Sequence, residues 1–132
     1  MMDFTWKIIE KDLQGLAKRF SATSRNIANS NTPGFARRNV SFEDQLRDVI
    51  DSGRKLKMVC TDKMHIPSAP HSVAVVRPLE IKVVDEKYRL DGNNVDPERE
   101  MAVLSETKMQ YTAMSRFAAK KLNGLRTVIS GR

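Results

Sequence analysis

Apolar residues recur at alternating steps of three and four along two long stretches, one near each end of the chain. This spacing is typical of a helix with an apolar seam, so it predicts helices over residues 5–29 and 97–130. The N-terminal seam consists of Trp6, Ile9, Leu13, Leu16, Phe20, Thr23 and Ile27. The C-terminal seam consists of Met101, Leu104, Tyr111, Ala118, Leu122, Leu125 and Ile129. We expect the two helices to pair through these seams as an antiparallel coiled coil.

Local signals mark the ends of both predicted helices. Thr32 precedes a proline, which disfavours helical backbone, and Pro33-Gly34 suits the central pair of a type II turn. The first helix is therefore expected to end near residue 30. At the second helix, Asp96 can accept hydrogen bonds from the first free amides, and Pro97 fits the first helical position.

The region between the two long helices has a mixed pattern. Ser41 with Asp44 three residues later indicates the start of a short helix, which Gly53 would end. Prolines exclude a long helix from residues 54–95, where residues 73–76 and 79–84 are predicted to be short extended pieces of a small β-hairpin or irregular arm. The sequence thus predicts a mainly α-helical chain in three parts, residues 1–34, 35–95 and 96–132.

Composition narrows the class of protein. Apolar residues make up 40% of the chain but aromatic residues only 6%, which favours packed aliphatic helices over a large aromatic core. Charged residues interrupt the start of the chain, so we expect no cleaved signal peptide. No apolar run approaches the roughly 20 residues that a membrane helix needs, so we expect no direct membrane insertion.

Two alternatives remain open at this point. The formal net charge of +7 is compatible with a helical protein that binds nucleic acid. The basic residues are spread along the chain, however, and aromatic residues for base stacking are scarce, so we expect no nucleic-acid partner. The two seams alone would also suit a coiled-coil adaptor protein.

Few residues suggest chemistry. Cys60 is the only cysteine, so it has no partner within the chain for a disulfide or a CxxC metal site. His65 and His71 lack the spacing of a helical metal site, and no hydrolase, phosphate-loop or metalloprotease motif occurs. The sequence therefore predicts a protein with no catalytic residues, no bound metal and no cofactor.

Residues 26–35, Asn-Ile-Ala-Asn-Ser-Asn-Thr-Pro-Gly-Phe, resemble the signature that follows the N-terminal helix in flagellar rod, hook and related axial proteins. Residues 41–46, residues 61–66 and the run Asp-Gly-Asn-Asn-Val-Asp at 91–96, leading into Glu100, strengthen the resemblance. The short length is similar to that of the proximal rod members of this family. The sister proximal rod protein FlgC, which usually lacks the 91–96 run, stays an alternative.

The resemblance implies a structural subunit of the flagellar basal-body rod, the periplasmic drive shaft that transmits torque. Its residues would act in assembly: the Asn-rich turn would fix where the chain leaves the first helix, and it would contact a neighbouring subunit. We expect two groups of positions to mediate assembly. The first comprises seam residues: Ile9, Leu13, Leu16, Phe20, Ile27, Met101, Leu104, Tyr111, Leu122, Leu125 and Ile129. The second comprises residues of the turns: Asn26, Asn29, Asn31, Thr32, Pro33, Gly34, Phe35, Asn94 and Val95.

The resemblance also implies partners. These are further copies of the chain, the rod proteins FlgC, FlgF and FlgG, the adaptor FliE and the membrane-embedded MS ring. Family members leave the cell through the flagellar type III export apparatus without a cleaved leader, and the same route is expected here.

Overall fold

The computed structural model describes residues 4–52, 73–84 and 89–131. In chain order, its elements are helix α1 (Phe4–Ala28), strand β1 (Arg38–Ser41), helix α2 (Glu43–Ser52), a 3-10 turn (Val73–Val75), strand β2 (Leu79–Lys82) and helix α3 (Pro97–Ser130). The chain is mainly helical, with long helices near both ends, as the hydrophobic pattern predicts. Cys60, His65 and His71 lie outside the described residues.

The two long helices run antiparallel. Near the end of α1, Asn26 bonds to Glu100 in the first turn of α3, and in the middle of α1, Leu16 packs against Met114. The pairing confirms the predicted architecture. Because α3 has 34 residues and α1 has 25, the last turns of α3 extend past Phe4, the first described residue of α1.

The predicted helix and turn signals form as expected. Asp96 caps α3 by accepting hydrogen bonds from the backbone amides of Glu98 and Arg99, at 2.9 and 3.4 Å. After α1, the Phe35 amide donates to the Thr32 carbonyl at 3.3 Å, which closes a turn around residues 33 and 34. Gly34 has a φ of 70°, the positive value that glycine adopts without steric cost.

The small sheet differs from the predicted hairpin. Strand β2 pairs antiparallel with β1, which precedes α2, so that Arg38 lies opposite Lys82 and Ser41 opposite Leu79. Because Ser41 belongs to the strand, α2 begins two residues later than predicted. Residues 73–75 form a 3-10 turn instead of an extended segment, and this brings Val73 and Val76, three residues apart, onto the same buried side.

Phe42 forms the centre of the core between the sheet and α1. Its side chain is fully buried and packs with Leu16, Ala22 and Val40. A Cβ atom on Gly15 would overlap the Phe42 ring, so glycine at this position lets the ring lie directly on the helix backbone.

A second apolar cluster joins α2 to α1. Leu46 and Val49 of α2 pack with Val73 and Val76, and the partly buried Ile8 of α1 lies against the cluster. Helix α2 therefore lies along the N-terminal half of α1. Its other face, away from this cluster, is exposed.

Candidate assembly interface

The two Asn-rich segments of the sequence meet in a network of buried polar side chains. We name Asn26, Arg37, Asn93, Asn94 and Glu100 the polar joint. All five are buried, although none is apolar. Together they connect the end of α1, the approach to β1 and the start of α3.

Asn26 connects three segments. Its side-chain nitrogen donates to the Arg38 carbonyl at 2.8 Å and to Glu100 Oε2 at 2.9 Å. Its oxygen accepts from the Arg38 amide at 3.0 Å. The side chain therefore pairs with the β1 backbone as a neighbouring strand would, and it also binds the first turn of α3.

Glu100 and Arg37 form a buried ion pair. Arg37 Nε donates to Glu100 Oε1 at 2.5 Å, and only 1% of the Glu100 side chain is exposed. The Arg37 amide donates to Asn94 Oδ1, while Asn94 Nδ2 donates to the Val83 carbonyl, both at 2.6 Å. A buried charge is tolerated when it is paired and hydrogen-bonded, and both conditions hold here.

Asn93 fastens the turn that follows α1. Its side-chain nitrogen donates to the carbonyls of Asn29, Ser30 and Thr32 at 2.9, 3.0 and 2.8 Å. Its oxygen accepts from the Val95 amide at 2.8 Å. One side chain thus contacts three carbonyls of the turn, sharing its two N–H groups among them.

Two glycines let the turns come together. The Gly34 amide donates to the Asp91 carbonyl at 2.9 Å, and both Gly34 and Gly92 have positive φ, 70° and 78°. A Cβ added to Gly92 would stand 3.7 Å from Gly34 Cα, which is ordinary van der Waals contact. The positive φ values, more than lack of space, therefore favour glycine here.

The predicted turn residues divide into two groups. Asn26, Asn94 and Val95 are buried and make their contacts within the chain. Asn29 is partly buried, donating to the Arg25 carbonyl and accepting from Thr32 Oγ1, at 2.8 and 3.3 Å. The rest of the turn lies at the surface: Asn31, Thr32, Pro33 and Gly34 are exposed and Phe35 is half-buried.

Three members of the polar joint were not among the predicted site residues: Arg37, Asn93 and Glu100. Asn93 belongs to the 91–96 run, and its neighbour Asn94 was predicted. Glu100 entered the sequence analysis only as the residue that the 91–96 run leads into. No pattern in the sequence indicated that Glu100 faces α1, because the residue seven positions later, Thr107, is also polar and only the structure shows that both are buried.

The predicted α1 seam largely faces the interior. Ile9 and Leu16 are buried, Leu13 and Ile27 are half-buried, and Phe20 remains 46% exposed. This distribution is that of a helix packed along one side, with Phe20 left at the edge of the contact.

The packed face of α3 is offset by one position from its predicted seam. The face towards α1 carries Glu100, Val103, Thr107, Gln110 and Met114. Of the predicted seam in this part of the helix, Leu104 is half-buried, whereas Met101 and Tyr111 are 53% and 45% exposed. The polar joint sets the rotation of α3, because it requires Glu100 to face inwards.

The C-terminal end of α3 lies in the solvent. We name residues 122–130 the overhang. Its apolar side chains are exposed: Leu122 53%, Leu125 54%, Val128 81% and Ile129 87%. An apolar stripe of this kind on a surface indicates a contact with another molecule.

An acidic cavity lies beside the helix pair. It has a volume of about 270 Å³ and is lined by Asp12, Leu16, Glu43, Gln110, Ala113 and Met114. Burial raises the pKa of Asp12, as does the nearby Glu43 carboxylate, while Arg19 opposes the shift. Gln110 Oε1 is buried and has no hydrogen-bond partner among the described residues.

A second charged cluster ties β2 to α1. Arg25 and Arg38 both form ion pairs with Glu80, each with a shortest distance of 2.9 Å. Hydrogen bonds from Arg38 and then from Arg25 hold the pKa of Glu80 below its ordinary value.

Within residues 4–52, 73–84 and 89–131, no three His, Cys, Asp or Glu side chains are grouped to hold a metal ion. No helix in these ranges is long and apolar enough to cross a bilayer.

Known proteins with similar sequences align with most of this chain. No protein-family model matches it. The flagellar basal body rod protein FlgB of Bacillus subtilis is 30% identical over 112 residues, covering 82% of the chain and 79% of the relative. FlgB of Salmonella typhimurium is 29% identical over 134 residues, covering 98% and 96%. FlgB of Escherichia coli K12 is 26% identical over 132 residues, covering 97% and 94%.

The chain belongs to the FlgB family. This membership confirms the prediction of a structural subunit of the flagellar basal-body rod. The FlgB relatives give no support to the FlgC, adaptor or nucleic-acid alternatives.

Proposed function

We propose that this FlgB-family chain assembles, with further copies of itself and with other rod proteins, into a helical shaft that transmits torque. The overhang is the observation that carries the proposal. Leu122, Leu125, Val128 and Ile129, in the last turns of α3, remain exposed in the single chain. Full burial of such a side chain is worth about 1.5–3 kcal/mol, so covering this stripe would favour association.

The polar joint would give the subunit a defined shape for assembly. It holds α3 against α1 through the hydrogen bonds that Asn26 and Arg37 donate to the Glu100 carboxylate. A shaft that carries torque needs subunits whose helices do not slide or rotate. Buried polar contacts supply this kind of specificity, at some cost in stability.

The exposed residues of the turn after α1 would contact a neighbouring subunit. Asn31, Pro33 and Gly34 lie at the surface, held from behind by Asn93. The turn is therefore presented rigidly, and contacts made by a rigid loop lose little conformational entropy. The seam residues left at the edges of the helix pair, Phe20 and Tyr111, would be covered in the same assembly.

The assembly would be open. A contact between two different surfaces of the same chain repeats without closing when its rotation does not complete a ring, and it then generates a helix. The role would be purely structural, without enzymatic activity. The resemblance to axial proteins supports FlgC, FlgF, FlgG, FliE and the MS ring as partners. It also supports a location in the periplasmic rod, reached through type III export without a cleaved leader.

Deleting the gene tests this function. We expect the deletion strain to stop swimming, and its isolated basal bodies to have membrane rings but no rod or hook above them. Re-expression of the wild-type chain should restore both. A deletion strain that swims with complete rods would contradict the proposed function.

A further inference from the structure

The two edges of the small sheet differ in how their backbone is covered. At the β1 edge, the amide of Arg38 donates to Asn26 Oδ1 at 3.0 Å. The amide of Val40 donates to Asn39 Oδ1 at 2.9 Å. These side-chain oxygens take the places that the carbonyls of a further strand would occupy. The chain itself therefore blocks pairing at the β1 edge.

The β2 edge has backbone groups without such cover. The Val83 amide donates to the Arg37 carbonyl at 2.9 Å, so Val83 and Ile81 direct their backbone groups towards β1. The backbone groups of Glu80 and Lys82, which alternate with these, point away from β1. Among the described residues, no acceptor binds these two amides and no donor binds these two carbonyls. Such an edge is a template for another strand.

The outer face of β2 is apolar. Because side chains alternate along a strand, Leu79 and Ile81 lie on the face opposite to Glu80, whose carboxylate binds Arg25 of α1. Leu79 and Ile81 are 54% and 52% exposed. A strand added at the β2 edge would place its own side chains beside them.

One antiparallel register makes the β2 edge complementary to itself. With Ile81 opposite Ile81 of a second copy, Glu80 of each strand lies opposite Lys82 of the other. Glu80 and Lys82 then form the hydrogen-bonded pairs, as their outward backbone groups require, and the isoleucines form the close pair between them. A shift of one residue would oppose outward to inward backbone groups. A shift of two would place Glu80 opposite Glu80 or Lys82 opposite Lys82, and directly opposed like charges are destabilising.

We propose that two copies of the chain pair antiparallel through β2 and form a four-stranded sheet with the strand order β1-β2-β2-β1. The partner is a second copy, because a single register satisfies the outward backbone groups and also sets opposite charges and the isoleucines against each other. The contact is isologous, so it closes after two copies. It is therefore a contact between free subunits, and it goes beyond the open assembly of the proposed function.

Cysteine cross-linking of the purified chain tests the register. Each variant also carries Cys60→Ser, so that the introduced cysteine is the only one. In Ile81→Cys, the two thiols meet at the close pair, where the Cα atoms lie about 4.5 Å apart, within the range of a disulfide. We expect mild oxidation to convert most of this variant to a covalent dimer.

Leu79→Cys is the matched control, because Leu79 lies on the same face of β2 and is similarly exposed. In the proposed register, the two copies of residue 79 are about 14 Å apart, too far for a disulfide. This variant should cross-link at least about tenfold less than Ile81→Cys. Equal cross-linking of the two variants, or none at position 81, would overturn the register.

Sedimentation equilibrium of the chain tests the association itself. We expect the average mass of the wild-type chain to rise with concentration from the monomer towards the dimer. Lys82→Pro removes one outward amide and leaves the pairing with β1 in place, so it should weaken dimerisation at least about tenfold. Its circular dichroism spectrum should match that of wild type, which separates lost pairing from lost folding. A wild-type chain that stays monomeric, or a dimer that Lys82→Pro leaves unchanged, would contradict the proposal. Neither measurement involves rod assembly, so neither outcome bears on the proposed function.

Discussion

The two ends of α3 differ in the kind of side chain that they bury or expose. The first turn buries a charged side chain, Glu100, and satisfies it with Arg37 and Asn26. The last turns expose Leu125, Val128 and Ile129, the side chains that water solvates worst. Burial in this chain therefore does not follow hydropathy. The polar end is complete within one molecule, whereas the apolar end would be covered only in the proposed assembly.

This contrast separates shape from association. Glu100 and its partners determine how the helices are oriented, and they contribute specificity more than net stability. The overhang contributes little to the fold of the single chain, because its side chains make few contacts there. Substitutions at the first end should therefore alter folding, and substitutions at the second should alter assembly.

Of the substitutions considered, Glu100→Ala in the first turn of α3 should destabilise the fold most. The change leaves the Arg37 guanidinium buried without its carboxylate, and breaking a buried pair in this way costs about 3–5 kcal/mol. Chemical unfolding followed by circular dichroism should show this loss. Glu98→Ala, an exposed change in the same turn, should alter the free energy of unfolding by no more than about 0.5 kcal/mol. Equal effects of the two changes would mean that the buried pair does not hold the joint.

Two glycine substitutions compare a packed part of a helix, at Gly15 of α1, with an exposed part, at Gly124 of α3. Gly15→Ala places a Cβ against the Phe42 ring, and overpacking of this kind costs about 1–3 kcal/mol. Gly124→Ala, in the overhang, meets nothing within 4 Å and should stabilise the helix by about 0.5–1 kcal/mol. Thermal unfolding should therefore shift in opposite directions. A shift in the same direction for both variants would contradict the packing at Phe42.

Asp12→Asn tests the acidic cavity beside the helix pair. Because the folded-state pKa of Asp12 lies above its ordinary value of 3.8, the ionised carboxylate opposes folding once the pH exceeds the raised pKa. The variant should be more stable at neutral pH, by about 0.5 kcal/mol, the size of a partly exposed charge interaction. The advantage should disappear below the ordinary pKa, where Asp12 is protonated in both states. Asp48→Asn, on the exposed face of α2, should show no such advantage.

Glu80→Gln should also have a small effect. The folded-state pKa of Glu80 lies below its ordinary value of 4.5, so its ion pairs stabilise the fold fully above that value. The contribution is lost as the pH falls through the lowered pKa. The variant should lose up to about 1 kcal/mol at neutral pH and less in acid, because the pairs with Arg25 and Arg38 are partly exposed. A difference that grows on acidification would contradict this assignment.

Local signals predicted most of the fold. Asp96, Pro97 and the Pro33-Gly34 turn act through neighbouring backbone, so their effects could be read directly from the sequence. The two seams were also visible, because apolar periodicity is a property of one helix. The family signature at residues 26–35 then pointed to the rod.

The polar joint could not be predicted in the same way. Asn26 and Glu100 are 74 residues apart, and nothing in either segment alone indicates the other. Periodicity also favoured apolar residues as the packed face of α3, whereas the structure buries Glu100 and Thr107. The packed face of α3 is therefore offset by one position from the predicted apolar seam. The pairing of β1 with β2 was not predicted either, because strands of only four residues carry little sequence pattern.

The central claim, that the overhang serves assembly and not folding, is tested most directly by Leu125→Asp. The variant should unfold within about 0.5 kcal/mol of wild type, because Leu125 is 54% exposed in the single chain. In the deletion strain it should be absent from isolated basal bodies, while Ala119→Asp, an exposed change on the same helix, should be incorporated normally. Normal amounts of the Leu125→Asp chain in complete rods would contradict the account, as would a large loss of stability in the purified subunit.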